Sequence, residues 1–150
     1  MLEQPNTKPN AILLVSVAVG AMMAYFVAST GVKAIFGTRG ANASISETLA
    51  EAAENANRDL PMMRNEFTRI ESATALPEGK ILFKYTILNT DQLPNSSQLI
   101  AEVRPKAAEY YRTSREMADL RKVKATLVDS YSDVSGNELA RFEVGPEDWE

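Results

Sequence analysis

Four groups of side chains in this 150-residue sequence have the types and spacing from which chemistry is built. Glu47, Glu51 and Glu54 recur at i, i+4 and i+7 with Asp59 beyond, so a helix gathers three carboxylates on one side. Paired carboxylates do general acid and base work in glycoside hydrolysis, but only in an enclosed cleft that raises one pKa. Opposite an alanine-rich stripe, this set reads instead as a solvated helix face. The second group is cationic: Arg112, Arg115, Arg121, Lys122 and Lys124. It has the charge to meet anionic lipid heads or an acidic partner. Glu109, Glu116 and Asp119 are interleaved with it, which describes an ordinary charged helix with i, i+4 pairs. Arg112 and Arg115 are kept as candidate partner contacts.

The third group is aromatic: Tyr85, Tyr110, Tyr111, Tyr131 and Trp149. Tyr85 and Tyr131 fit strand patterns and read as core. Trp149 stands in the acidic tail "GPEDWE", where a lone indole is a candidate docking handle or folds back on the domain. The fourth group, Asp133-Val134-Ser135-Gly136-Asn137, has calcium-loop residue types but too few in register, and reads as a hairpin turn.

What is missing excludes more than what is present. There is no histidine, the commonest general base and metal ligand, and no cysteine. Ser/His/Asp and Cys/His nucleophile systems, thiolate metal sites and disulfides are all ruled out. Phosphate loops and dinucleotide-binding glycines are absent as well. The expectation is a protein that is not an enzyme and carries no cofactor or metal. Residues 44–150 hold 13 basic and 19 acidic side chains, so nucleic acid, which needs clustered Lys and Arg, is not an expected partner.

The elements that must position these groups begin with "AILLVSVAVGAMMAYFVASTGV", 22 residues from Ala11 to Val32 without a charge. About 20 residues at 1.5 Å each span a hydrocarbon core roughly 30 Å thick. The run exceeds the roughly 7–15 residues of a signal-peptide core, and only Lys8 supplies positive charge ahead of it, so an uncleaved anchor is expected. The reading is a short tail at 1–10, a transmembrane helix at 11–36, a linker at 37–43 and a soluble domain at 44–150. Ser16, Gly20, Ala24 and Ala28 recur every four residues, a stripe of small side chains that lets a second helix pack closely. Lys8 and the amino terminus nearly balance Lys33 and Arg39, so charge alone does not orient the span. The soluble domain is placed on the periplasmic side of a bacterial inner membrane, with membrane lipid as one partner.

In the soluble part, Ser44 and Glu47 have capping-box spacing and open a helix to about Asp59, ended by Pro61. Phe67–Leu76 and Lys80–Leu88 read as a hairpin around Pro77-Glu78-Gly79. Ile81, Phe83, Tyr85 and Ile87 share the core-facing side of the second strand. Helical spacing returns from Ser96 to about Lys122, with a break expected near Val103–Arg104 because Pro105 lacks an N–H. Thr113 and Glu116 repeat the capping-box spacing and predict a new short helix. Strands Val123–Tyr131 and Glu138–Val144 close the chain around "SDVSGN". The fold class is α+β: an antiparallel sheet of two hairpins with helices packed on one face.

The stretches "RDLPMM", "TRIESATALPEGKILFKYTILN", "EYYRTSREMADLRK" and "YSDVSGNELARFEV" together resemble a widespread group of uncharacterised small bacterial exported or membrane-anchored proteins. The resemblance covers about residues 57–144 and implies a location and a fold, but no reaction. Members often carry cysteines near the Tyr110–Thr113 motif and at the carboxyl end, and this chain has none. Together these features predict a single-pass, non-catalytic accessory or scaffold subunit of a larger membrane complex, partnered by other membrane protein subunits. The alternative is an anchored periplasmic module that binds a ligand or peptide.

Overall fold

The computed structural model describes residues 44–150 apart from Gln92 and Glu116. The tail, the span at 11–36 with its Ser16, Gly20, Ala24 and Ala28 stripe, and the linker lie outside the described residues. Among those described, no helix is long and apolar enough to cross a membrane.

Helix α1 runs Ile45–Asn57 behind a complete capping box. The Ser44 hydroxyl accepts from the Glu47 amide at 3.2 Å, and the Glu47 carboxylate accepts from the Ser44 amide at 3.0 Å. Leu49, Ala52, Ala53 and Ala56 form its buried stripe. Strands β1 (Met62–Asn65), β2 (Thr68–Leu76) and β3 (Lys80–Ile87) follow, then helix α2 (Ser96–Thr113), the short helix α3 (Ala118–Lys122), strands β4 (Thr126–Ser132) and β5 (Glu138–Val144), and a 3₁₀ turn at Pro146–Asp148. Gly79 closes the β2–β3 hairpin at φ +73°, a conformation that side chains with a Cβ rarely adopt.

The five strands lie in the order β1-β2-β3-β4-β5. Here the sequence reading needs correction. Met62–Asn65, to which the periodicity assigns no element, is a fifth strand that pairs antiparallel with β2. The sheet is also mixed, because β3 and β4 pair in parallel, Ile81 opposite Leu127 and Tyr85 opposite Tyr131. Two hairpins laid side by side would join antiparallel. Instead α2 and α3 carry the chain back to the starting end of β3, and such a helical crossover makes the next strand parallel. Pro105 does not break α2 either. Pro105 and Ala101, whose carbonyl loses its helical partner, are both exposed, so water satisfies what the ring removes. The α2–α3 break comes instead at Ser114, and α3 starts at Ala118 without a side-chain cap.

One face of the sheet carries Ile70, Ala73, Ile81, Tyr85, Leu127, Tyr131, Ala140, Phe142 and Val144, which pack with α1 and α2 into one core. Asn57, the last residue of α1, donates to the Ala73 carbonyl at 2.7 Å and accepts from its amide at 2.8 Å. It thereby occupies the ladder groups of β2 that lie beyond the short β1. The other face mixes ion pairs with the buried side chains of Leu82, Thr86, Val128 and Ser130. Lys80 pairs with Glu143 at 2.9 Å, Arg69 with Glu71 at 2.7 Å, and Glu138 accepts from Ser130 at 2.8 Å and from Arg141 at 3.0 Å. Alternation is clean on β5, whereas the central strand β4 is buried on both faces.

Candidate functional site

The groups singled out from sequence are dispersed. Glu47 is engaged in the α1 cap, and Glu54 pairs loosely with Arg58 at 3.7 Å on an exposed face. Arg112 is exposed and grips Glu109 through Nε and Nη2 at 2.7–3.1 Å. Arg115 is exposed in the α2–α3 connection. Lys122 pairs with Asp119 at 2.8 Å and Lys124 with Glu150 at 3.5 Å. Arg121 turns inward, where Nη1 donates to the carbonyls of Tyr111 and Ser114 and closes the end of α2. Trp149 is half-buried and meets the Tyr111 ring edge-on, 5.6 Å between centroids at 79°. In the β4–β5 turn, the Asp133 carboxylate accepts from the Ser135 amide, the Asn137 amide and the Asn137 side chain, each at 2.9 Å. Those bonds hold Asp133 below its ordinary pKa, the Asn137 side chain contributing most. Among the described residues no cluster of three or more His, Cys, Asp or Glu is placed to hold a metal.

The sheet brings together a different set. Tyr85 on β3 and Tyr131 on β4 stand opposite each other in the parallel register, and their rings stack at 4.7 Å and 11°. Phe142 on β5 extends the stack, 6.1 Å from Tyr131. Parallel pairing puts the same face of both strands in register, so two tyrosines at matched positions meet ring on ring.

Two residues before Tyr131, on the same face, is Asp129. It pairs in register with Phe83 and Phe142, is 2% exposed, and its Oδ1 has no hydrogen-bond partner. Desolvation raises its pKa from 3.8 to about 7, because a carboxylate in an apolar layer is far costlier than the neutral acid.

Arg64 reaches the same place from β1. It sits at the register shift between Met63 and Asn65, where one extra residue re-aims the strand. Its Nε and Nη1 are buried without a hydrogen-bond partner. Desolvation lowers its pKa, opposed by smaller electrostatic influences of Tyr85, Tyr110 and Tyr131. Burial raises both Tyr85 and Tyr131 well above their ordinary value, so these phenols stay neutral. Asp129 and Arg64 both act on these two tyrosines, one raising and the other lowering their pKa.

The arrangement is thus a buried aromatic stack flanked by a cation and an acid, neither satisfied within the fold. Sequence reasoning passed over both ionisable residues. The alternation Leu127, Asp129, Tyr131 carries a readable signal, an acid on an apolar face. Arg64 carries none, because nothing in "PMMRN" marks a strand.

No protein-family profile and no curated protein sequence matches the chain. Solved structures do. A Pseudomonas aeruginosa protein assigned as secreted is 14% identical with a TM-score of 0.60, over 73% of this chain and 100% of that one. The type II secretion system pilotin AspS from Vibrio cholerae is 14% identical with a TM-score of 0.54, over 69% of this chain and 91% of that one. The pilotin EpsS from the Vibrio vulnificus type 2 secretion system is 6% identical with a TM-score of 0.57, over 71% and 92%. At these identities the likeness is one of fold. The α+β domain of this chain has the architecture of small bacterial secreted and pilotin proteins.

Proposed function

We propose that this protein is a non-catalytic accessory subunit of a bacterial envelope secretion complex. Residues 11–36 anchor it in the inner membrane as a single span, and its α+β domain stands on the periplasmic side. The observation that carries this reading is the fold shared with two type II secretion pilotins, across more than nine-tenths of each. The chemistry of the chain agrees. It has no histidine or cysteine, and of its helix-face carboxylates Glu47 and Glu54 are exposed and Glu51 is half-buried. Its partners are other protein subunits and membrane lipid, and the acidic domain does not suit nucleic acid. Within the membrane, Ser16, Gly20, Ala24 and Ala28 form the face for a partner helix. Outside it, Arg112, Arg115 and Trp149 are contact points.

Native purification in mild detergent, with mass-spectrometric identification of co-purifying chains, tests the proposal. Envelope secretion subunits should accompany the protein, and Gly20→Leu with Ala24→Leu should weaken that association while membrane insertion persists. A clean monomer in several detergents would sink the accessory role. The second reading, an anchored ligand- or peptide-binding module, is favoured by one observation: the unsatisfied polar atoms of Arg64 and Asp129.

A further inference from the structure

Arg64 is the feature that the fold leaves unexplained. A guanidinium presents five N–H donors in a fixed plane and cannot shed its charge. Burying part of it without acceptors is costly, and the cost is recovered only when an anion supplies them. Two other arginines, Arg104 and Arg121, show how this chain satisfies such a group when the role is structural. Arg104 donates to the Glu143 carbonyl at 3.0 Å and to the Asp148 carboxylate, and Arg121 donates to two carbonyls. Arg64 has no such acceptor for Nε or Nη1. Asp129 keeps its own Oδ1 unpartnered, so the fold does not use that oxygen to answer Arg64.

The position suits recognition. Arg64 is on β1, an edge strand, and the residue as a whole is only partly buried, so part of it opens at the rim of the sheet while Nε and Nη1 lie just inside. Its Nε and Nη1 are out of contact with solvent, a setting that strengthens a charge-assisted bond by excluding water. A single planar guanidinium in a dry site matches a planar, singly charged acceptor, which is a carboxylate. Phosphate recruits several cations and suits this setting less well.

We propose that Arg64 is the receptor for an aspartate or glutamate carboxylate of a protein partner, inserted at the β1 edge against the Tyr85–Tyr131 stack. The identification of the carboxylate's source as a polypeptide rests on the accessory-subunit reading above; the anion chemistry does not.

The test uses the full-length chain in detergent micelles with ¹⁵N-labelled arginine, following side-chain Nε–H resonances. Sodium acetate should shift the Arg64 signal saturably, and sodium chloride at equal concentration should not. Arg64→Gln should remove the response with the rest of the spectrum unchanged. Arg64→Lys should weaken acetate binding by about tenfold or more, since an ammonium cannot make the bidentate contact. An acetate response equal to that of chloride would overturn the site, and tighter binding of inorganic phosphate would overturn its assignment to a carboxylate. In native purification, Arg64→Gln should reduce the co-purified partner by about tenfold. A partner fully retained by Arg64→Gln would overturn the inference and leave the accessory role standing. A wild-type chain with no partner would remove the accessory role itself, and the polypeptide source with it.

Discussion

Two regions of the domain treat arginines in opposite ways. At the carboxyl-terminal end, Arg104 and Arg121 tie the 3₁₀ turn, β5 and the end of α2 together through carbonyls and a carboxylate. Tyr111, fully buried, donates its hydroxyl to the Ala125 carbonyl at 2.7 Å and packs against Trp149. At the Tyr85–Tyr131 end the ingredients are similar: tyrosines, an arginine and an aspartate. There the arginine and the aspartate keep polar atoms without partners. The first cluster is satisfied almost completely, the Trp149 Nε1 being its exception, and it holds the fold. The second costs stability, which a structural role would not require. Unsatisfied buried polar groups in an otherwise well-paired domain mark where selection acted on something other than stability.

Substitutions should divide along the same line. Tyr111→Ala, at the satisfied end, removes a fully buried ring and a buried hydrogen bond, and should cost about 3–5 kcal/mol in urea denaturation. A loss below about 1 kcal/mol would erase the distinction between the clusters. Asp129→Asn is next. Between about pH 4 and about pH 7 the folded state holds a proton on Asp129 that the unfolded chain has released. The contribution of this residue to stability therefore falls as pH rises through that window, and its penalty is complete above the folded value. Asparagine cannot ionise, so the variant should match the wild type near pH 4. It should exceed the wild type by up to about 4 kcal/mol at pH 8. Parallel stability curves from pH 4 to pH 8 would contradict the burial of an ionisable acid there.

The arginines make the sharpest pair. Arg104→Met should destabilise by about 1–2 kcal/mol, discounted because its side chain is 41% exposed. Arg64→Met keeps the length and removes an unanswered charge, and should be neutral or stabilising by about 1 kcal/mol. Equal destabilisation by both would make Arg64 one more structural tie.

Much of the fold was legible in the sequence. The capping box at Ser44 and Glu47 is a local exchange of hydrogen bonds, so residue types three apart identify it. The span Glu138–Val144 is read correctly at both ends because its alternation is clean and its turn is held by Asp133. Strand β1 was not legible. Four residues without alternation acquire strand geometry only when β2 offers a partner. The candidate site was nearly illegible for the same reason, since its members come from β1, β3, β4 and α2 and meet only across the sheet.

The amino-acid sequence by itself determined what acts over a few residues: where helices start, which side of a strand is apolar, and that histidine and thiol chemistry are excluded. Tertiary structure decided that β3 and β4 run parallel, which stacks Tyr85 on Tyr131. It also decided that Asp129 and Arg64 are desolvated, since burial depends on what packs above a residue and not on its neighbours in the chain. Short-range hydrogen bonding and periodicity are written locally, whereas desolvation and register are properties of the assembled layers.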